Sequence, residues 1–184
     1  MLVLASQSPR RQEILRNAGI DFTVRASAVD EAALEGETPE QHVRRLAVAK
    51  AMSVSCAEDE VVLGADTTVT IGGRILGKPE SPEEAGRMLR LLSGQEHSVI
   101  TGICLRSRGS QVIDSECTRV RFVAMTEEEI AACVASPEPY DKAGGYAIQG
   151  LASRFIDRIE GCYCNVVGLP VALVWKHLRR MGHW

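Results

Sequence analysis

The chain has 184 residues, of which 45% are hydrophobic and 24% charged, and its formal net charge is -3 at pH 7. Its length suits one domain over residues 1–184, and its composition is that of an ordered globular protein. A nucleic-acid partner is not expected, because phosphate-backbone binding requires a basic face and only 4% of the residues are aromatic. No stretch approaches the roughly 20 apolar residues that span a bilayer, so no membrane contact is expected either.

The amino terminus and the cysteines bear on where the protein works. The apolar run of residues 1–5 is too short for a signal peptide, which favours the cytoplasm. The six cysteines are scattered, and Cys162 and Cys164, in a segment interpreted as a strand, have no second Cys or His pair that would complete a zinc set. Buried free thiols are therefore favoured over a structural metal.

The hydrophobic pattern alternates between strands and helices. Ser8 before Pro9 is typical of a helix start, and Gly72 next to Gly73 predicts a hairpin turn. The predicted strands cover residues 2–5, 22–25, 61–71, 74–76, 98–106, 111–123 and 155–159. The predicted helices cover residues 10–18, 39–55, 82–92, 126–136 and 170–178. This order favours an α/β or mixed α+β domain with helices around a mixed sheet.

Phosphate chemistry is suggested at the start of the first helix. Ser6, Ser8, Arg10 and Arg11 place two hydroxyls and two guanidiniums beside the free N–H groups of a helix N-terminus. Such donors attract phosphate oxygens. Ser8 could equally be only a helix cap with solvated arginines next to it, and the spacing does not decide between these readings.

Asp66 is the second candidate, because it lies inside the apolar run of residues 61–69. A carboxylate buried in a strand requires a cation, a metal or an opening in the sheet, and the alternative is a hydrogen-bonded polar residue at a strand end with no further role. Glu31, Lys50 and Lys78 are ordinary solvated charges unless the fold brings them to such a carboxylate.

The segment Asp141–Gly150 is rich in glycine, which lets a backbone approach a ligand closely. It matches neither a dinucleotide-binding nor a P-loop motif, so it is either a ligand loop or a plain turn. The four histidines show no metal-ligand spacing, and no G-x-S-x-G elbow is present.

Taken in order, these motifs resemble the Maf family across nearly the whole chain. The residues that carry the resemblance are Ser6–Arg11, Val29–Glu31, Leu46–Lys50, Gly64–Thr67, Gly77–Pro79 and Asp141–Gly150, with Gly94–Gln95, His97, Thr101–Gly102 and Asn165–Pro170. The resemblance implies a Maf/inosine-triphosphatase-like fold, an elongated mixed sheet flanked by helices whose two lobes enclose a nucleotide cleft. It also implies hydrolysis of the α,β-phosphoanhydride bond of a nucleoside triphosphate.

The resemblance assigns roles residue by residue. Asp66, Glu31 and Lys78 would be catalytic, with Asp66 as the proton acceptor, and Asp66 and Glu31 would hold a divalent cation, Mg²⁺ or Mn²⁺. The substrate would be bound by Ser8, Arg11, Lys50 and Lys78. Base preference would follow Arg10, Thr67 and Gln149, which resemble the type acting on dTTP and UTP.

The same resemblance suggests a homodimer that acts on dTTP, UTP and modified pyrimidine nucleotides, with a house-cleaning role in nucleotide metabolism and an influence on cell division. Two alternatives remain at this level. One is a nucleotide-binding regulator of septum formation without catalysis, and the other is a related pyrophosphatase that prefers purines. Retention of Glu31, Asp66 and Lys78 argues against the first, because a sensor needs no proton acceptor.

Overall fold

A computed structural model describes residues 1–183 of the protein. Its strands are β1 (Leu2–Leu4), β2 (Phe22–Val24), β3 (Val61–Ile71), β4 (Arg74–Leu76), β5 (Glu96–Arg106), β6 (Gln111–Phe122) and β7 (Ile156–Glu160). Its α-helices are α1 (Pro9–Asn17), α2 (Pro39–Met52), α3 (Pro82–Leu92), α4 (Glu127–Val134), α5 (Tyr163–Val167) and α6 (Val171–Arg180). Short 3₁₀ turns cover Glu138–Asp141, Ala143–Gly145 and Leu151–Phe155.

The strands form one seven-stranded sheet in the order β2-β1-β3-β5-β6-β7, and β4 pairs with β3. The β1 strand pairs in parallel with both β2 and β3, whereas β3–β4 and β6–β7 are antiparallel. Strands and helices alternate along most of the chain, which confirms the predicted mixed α/β class. No helix within residues 1–183 has the length and apolar character that a bilayer crossing requires.

Capping residues set the starts of four helices where the sequence predicts them. The hydroxyls of Ser8, Thr38, Ser81 and Thr126 each accept a hydrogen bond from a backbone N–H of the following turn. Thr38 and Thr126 form full capping boxes, in which the third helical side chain also bonds the cap backbone. Proline occupies the first turn of three of these helices, where its missing N–H costs no helical hydrogen bond.

The chain divides into two compact units. Unit 1 comprises Met1–Thr67, Thr101–Glu116 and residues 168–183, and unit 2 comprises Thr68–Ile100 and Cys117–Val167. Unit 1 has two apolar clusters, one built around Leu2, Leu63 and Leu178, the other around Val62 and Ala47. Unit 2 has one cluster, with Leu89, Phe122 and Phe155 among its members.

Some boundaries differ from the sequence-based expectations. Cys162 immediately precedes the short helix α5 and Cys164 lies inside it, so neither cysteine is in a strand. The second helix ends at Met52, about one turn earlier than expected. All six cysteines are free, as predicted, but only Cys104 and Cys133 are buried, while Cys117 is exposed.

Candidate active site

The carboxyl ends of three parallel strands supply the unit 1 candidates. In the register Leu4 lies opposite both Val24 of β2 and Leu63 of β3. The chain that follows β1 therefore carries Ser6–Arg11, the chain that follows β2 carries Glu31, and β3 itself continues to Asp66. Ligands of open α/β sheets bind beyond the carboxyl ends of such strands, and this register places candidate residues there.

Two glycines allow α2 to lie directly against the sheet. A Cβ on Gly64 would lie 2.1 Å from the Ala47 carbonyl oxygen, and one on Gly102 would lie 2.4 Å from the Val43 carbonyl oxygen. Any side chain at either position would push the helix away. Asp66 shares a strand face with Gly64, and Lys50 lies one helical turn after Ala47, so this close packing brings Lys50 to Asp66.

Lys50 joins the two predicted acids. Its Nζ donates a hydrogen bond of 2.6 Å to Asp66 Oδ1 and pairs at 2.6 Å with Glu31 Oε1. Lys50 and Asp66 are both buried, whereas 49% of the Glu31 side chain is exposed. One buried ammonium therefore bridges two carboxylates, which gives Asp66 the charged partner that its position in the sheet requires.

The loop that carries Glu31 is attached to α2 by a charged cluster. The Arg45 Nη2 donates to the Ala32 carbonyl oxygen at 2.9 Å, and the Arg45 Nε donates to Glu37 Oε1 at 2.6 Å. Glu37 Oε2 also accepts the Leu34 N–H at 3.2 Å and lies 3.0 Å from His42 Nδ1. These contacts fix the segment immediately after Glu31 and so limit where that carboxylate can lie.

Two carboxylates in unit 1 should make stability depend on pH. The hydrogen bond from Arg45 lowers the pKa of Glu37 from 4.5 to about 2, and the hydrogen bond from Arg25 does the same for Glu60. A carboxyl group whose pKa is lower in the folded chain stabilises it fully above the unfolded value, and the stabilisation is lost below. We therefore expect the free energy of unfolding to fall as the pH drops from about 4.5 towards 2, measured by denaturant titration at each pH.

The double variant Glu37→Gln/Glu60→Gln should show a shallower fall over this pH interval. The matched control is Glu13→Gln, which removes an exposed carboxylate from α1 and should retain the wild-type slope. Equal slopes for the double variant and the wild type would contradict the assignment to these two groups.

Arg11 is buried and bonded to protein atoms. Its Nε donates to the Gly168 carbonyl oxygen at 2.8 Å, Nη1 to Ser6 Oγ at 3.3 Å and Nη2 to Thr67 Oγ1 at 3.1 Å. Burial lowers the pKa of Arg11, while the negative charges of Asp66 and Glu31 act in the opposite direction. Arg11 therefore belongs to the same electrostatic group as the two acids, and at least three of its five N–H donors already have partners.

Thr67 lies on the face of β3 opposite to Asp66, because successive strand residues alternate. Its hydroxyl lies 2.9 Å from Thr101 Oγ1, donates to the Gly168 carbonyl oxygen at 3.2 Å and accepts from Arg11. The φ of Gly168 is +132°, a value that side chains rarely allow, so a glycine is needed to present this carbonyl. Asp66 thus faces α2, and Thr67 faces the start of α1.

The remaining unit 1 candidates lie around the first turn of α1. Ser8 caps this helix, and its Oγ lies 3.5 Å from the Arg11 N–H. Arg10 is partly exposed next to it. Ser6, which the sequence suggested only as one hydroxyl of a phosphate site, accepts from both Arg11 and the Ser8 N–H.

Unit 2 contains the other two candidates, Lys78 and Gln149, and both are exposed. Lys78 follows Gly77, whose carbonyl oxygen accepts the Gly144 N–H at 3.0 Å. The lysine segment and the glycine-rich loop are therefore hydrogen-bonded to each other.

Comparison with known proteins shows the family. The family described as "Maf-like protein" matches residues 1–181. The chain belongs to the Maf family. A dTTP/UTP pyrophosphatase of Geotalea uraniireducens is 50% identical to it, covering 98% of this chain and 95% of the relative. A dTTP/UTP pyrophosphatase of Koribacter versatilis is 46% identical, covering 98% and 94%. Among solved structures, the Staphylococcus aureus Ham1 protein is 16% identical, with a TM-score of 0.46 over 66% of this chain and 71% of that one.

The acids of this Maf family member suit a divalent cation that is also held by a ligand. Asp66 and Glu31 converge on the same point, since one ammonium contacts both at 2.6 Å. Within residues 1–183 no group of three or more His, Cys, Asp or Glu side chains is placed to hold a metal. Mg²⁺ commonly binds through one or two carboxylates together with substrate phosphates, and this donor set fits that mode.

Proposed function

We propose that this protein hydrolyses dTTP and UTP to the nucleoside monophosphate and pyrophosphate. The observation that carries the proposal is the contact of one buried ammonium, Lys50, with both Asp66 and Glu31 at the carboxyl ends of the parallel strands. Membership of the Maf family and the names of relatives at 46% to 50% identity support the choice of reaction.

The proposed reaction is attack by water on the α-phosphorus. The oxygen of water forms the new P–O bond, the bond to the bridging oxygen of the β-phosphate breaks, and pyrophosphate leaves. Asp66 accepts the proton that water loses, a role for a positioned carboxylate. Lys50 holds the Asp66 carboxylate in one orientation, because the ammonium is itself fixed by the close packing of α2.

Asp66 and Glu31 would hold the cation, Mg²⁺ or Mn²⁺, together with phosphate oxygens. When bound, such an ion neutralises phosphate charge and makes a bound water more acidic. Both acids lie within reach of the basic groups of unit 1, so the negative charge of a triphosphate meets compensating charge there.

The phosphate ligands we propose are Ser8, Arg11, Lys50 and Lys78. Lys50 has three N–H donors, of which two point to carboxylates, so one is left for a phosphate oxygen. Arg11 contributes long-range attraction and its remaining N–H groups. Lys78 and Ser8 are accessible in their own units, with the free donors of the α1 N-terminus next to Ser8.

For the base, we propose that Arg10, Thr67 and Gln149 favour a pyrimidine with a carbonyl at position 4. A glutamine amide can donate to such an oxygen and accept from the neighbouring ring N–H. Thr67 is fixed by Arg11, Thr101 and Gly168, so its hydroxyl has a defined position.

Residues 1–184 would act as one Maf-like domain, a reading supported by the family match to residues 1–181. The protein would be a cytoplasmic homodimer with a house-cleaning role, acting on modified pyrimidine nucleotides as well as dTTP and UTP, and with an influence on cell division.

A substrate panel tests the reaction and the base together. Purified protein with Mg²⁺ or Mn²⁺ should release equal amounts of pyrophosphate and monophosphate from dTTP and UTP, and much less from CTP, ATP and GTP. Chelation of the metal should stop release, and added metal should restore it. Orthophosphate as the only product would overturn the reaction, and a preference for purines would overturn the base assignment.

A further inference from the structure

The carboxylate of Glu138 organises the second half of the glycine-rich loop. Its Oε1 accepts the backbone N–H groups of Ala147 at 3.1 Å and Ala152 at 3.4 Å. Its Oε2 accepts the Leu151 N–H at 2.6 Å. One side chain therefore binds three backbone donors across six residues of loop.

Gln149 lies in the middle of this segment, between two of the bonded amides. Its neighbour Gly150 donates its N–H to the Ala147 carbonyl oxygen at 3.1 Å, which closes a turn around Gln149. The Gln149 side chain is exposed, and the turn and Glu138 restrain the backbone from which that side chain extends.

The Glu138 carboxylate lies against Gly150, where the Cβ of any other residue would be. A Cβ on Gly150 would lie 1.9 Å from Glu138 Oε2 and 2.5 Å from its carboxyl carbon. The φ of Gly150 is -113°, a value open to any residue, so backbone strain does not explain the glycine. A side chain at this position would therefore have to displace the Glu138 carboxylate from its three backbone donors.

The first half of the loop is held by other contacts. Gly144 has a φ of +73° and donates its N–H to the Gly77 carbonyl oxygen. Tyr146 is buried, with its hydroxyl 2.7 Å from His97 Nε2. Because this half has its own anchors, loss of Glu138 should loosen residues 147–152 and leave the loop attached to unit 2.

We propose that Glu138 is a positioning residue that fixes the Gln149 amide and so sets the preference for uracil over cytosine. The inference rests on the proposed role of Gln149 in base recognition. Glu138 acts through the backbone of the loop and needs no contact with the nucleotide. A Gln149 side-chain amide held in a single orientation, with its NH2 group towards position 4, discriminates between a carbonyl and an amino group there, because the amino group would leave two donors facing each other without an acceptor.

Affinity for UTP and CTP, measured by titration calorimetry with the metal chelated so that the nucleotide is not hydrolysed, provides the first test. The wild type should bind UTP more tightly than CTP, and Glu138→Ala should reduce this preference about tenfold through weaker UTP binding. Glu138→Gln keeps one carbonyl acceptor and should lie between the two. The matched control is Glu83→Ala, which removes an exposed carboxylate of unit 2 and should keep the wild-type preference.

Gly150→Ala provides a second route to the same loss. Its methyl group would displace the carboxylate, so this variant alone should behave like Glu138→Ala. In the Glu138→Ala background the methyl group meets no carboxylate, and the added Gly150→Ala should then change the preference little. Such non-additivity is the signature of two residues acting through one contact.

Amide hydrogen exchange provides a readout independent of any nucleotide. The N–H groups of Ala147, Leu151 and Ala152 should exchange faster in Glu138→Ala, while those of Gly144 and Tyr146 keep their wild-type rates. Unchanged exchange at the first three amides would overturn the anchoring step. A retained UTP preference despite faster exchange, or a wild type that does not distinguish UTP from CTP, would overturn the role in selectivity. Failure to release pyrophosphate would count only against the proposed function, because neither measurement depends on catalysis.

Discussion

Replacement of Asp66 by asparagine should lower the rate of pyrophosphate release by about 10²- to 10⁴-fold, the usual contribution of a general base. Asparagine has the shape of aspartate but cannot accept the proton from water. The structure predicts that the fold survives, because Lys50 keeps its ion pair with Glu31 at 2.6 Å. The loss should appear in kcat and kcat/KM alike, measured by pyrophosphate release from dTTP.

The matched control is Asp21→Asn, which changes an exposed carboxylate of the same unit and should retain wild-type rates. Thermal unfolding and circular dichroism of both variants would show that the fold is kept. Near-normal turnover by a folded Asp66→Asn protein would exclude Asp66 as the proton acceptor.

The second large effect is expected for Lys50→Met, which should destabilise the protein by about 3 to 5 kcal/mol. Removing one partner of a buried pair leaves the other charge without compensation, and the Lys50 and Asp66 side chains are each only 10% exposed. Methionine fills much of the same volume, so lost packing should contribute little. Denaturant unfolding measures the change, and pyrophosphate release should fall with it because Asp66 loses its fixed orientation.

A double-mutant cycle separates charge from packing. Adding Asp66→Asn to Lys50→Met removes the uncompensated carboxylate and should restore much of the stability but none of the activity. Lys176→Met, which removes an exposed lysine of α6, should change stability by no more than about 0.5 kcal/mol. If Lys50→Met were as stable as the wild type, the ion pair would contribute nothing to the free energy of unfolding.

Local chemistry made much of the fold predictable from the sequence. Ser8, Thr38 and Thr126 cap helices because a short polar side chain before a helical run has little else to bond, and the structure confirms all three. The glycine pair before Arg74 turns β3 into β4, with φ values of +55° at Gly72 and +77° at Gly73. Such signals span a few residues and need no knowledge of tertiary packing.

Long-range contacts could not be predicted from periodicity. Lys50 and Asp66 are ordinary in their local sequences, and only the absence of a Cβ at Gly64 and Gly102 allows the helix to bring them together. Glu138 was missed because its three amide donors lie 9 to 14 residues later, inside a loop without regular structure. The helix α5 was missed because five residues are too few for a hydrophobic period to appear.

The larger apolar cluster of unit 1 combines residues that the ribosome adds at widely separated times. It contains Leu2 and Leu4 near the amino terminus, but also Leu169, Val174 and Leu178. Translation proceeds at about 5 to 20 residues per second, so roughly 9 to 35 seconds separate the addition of Leu2 from that of Leu178. During that interval the apolar side chains of the incomplete cluster stay exposed on the nascent chain. Chaperones that bind near the exit tunnel are expected to bind them.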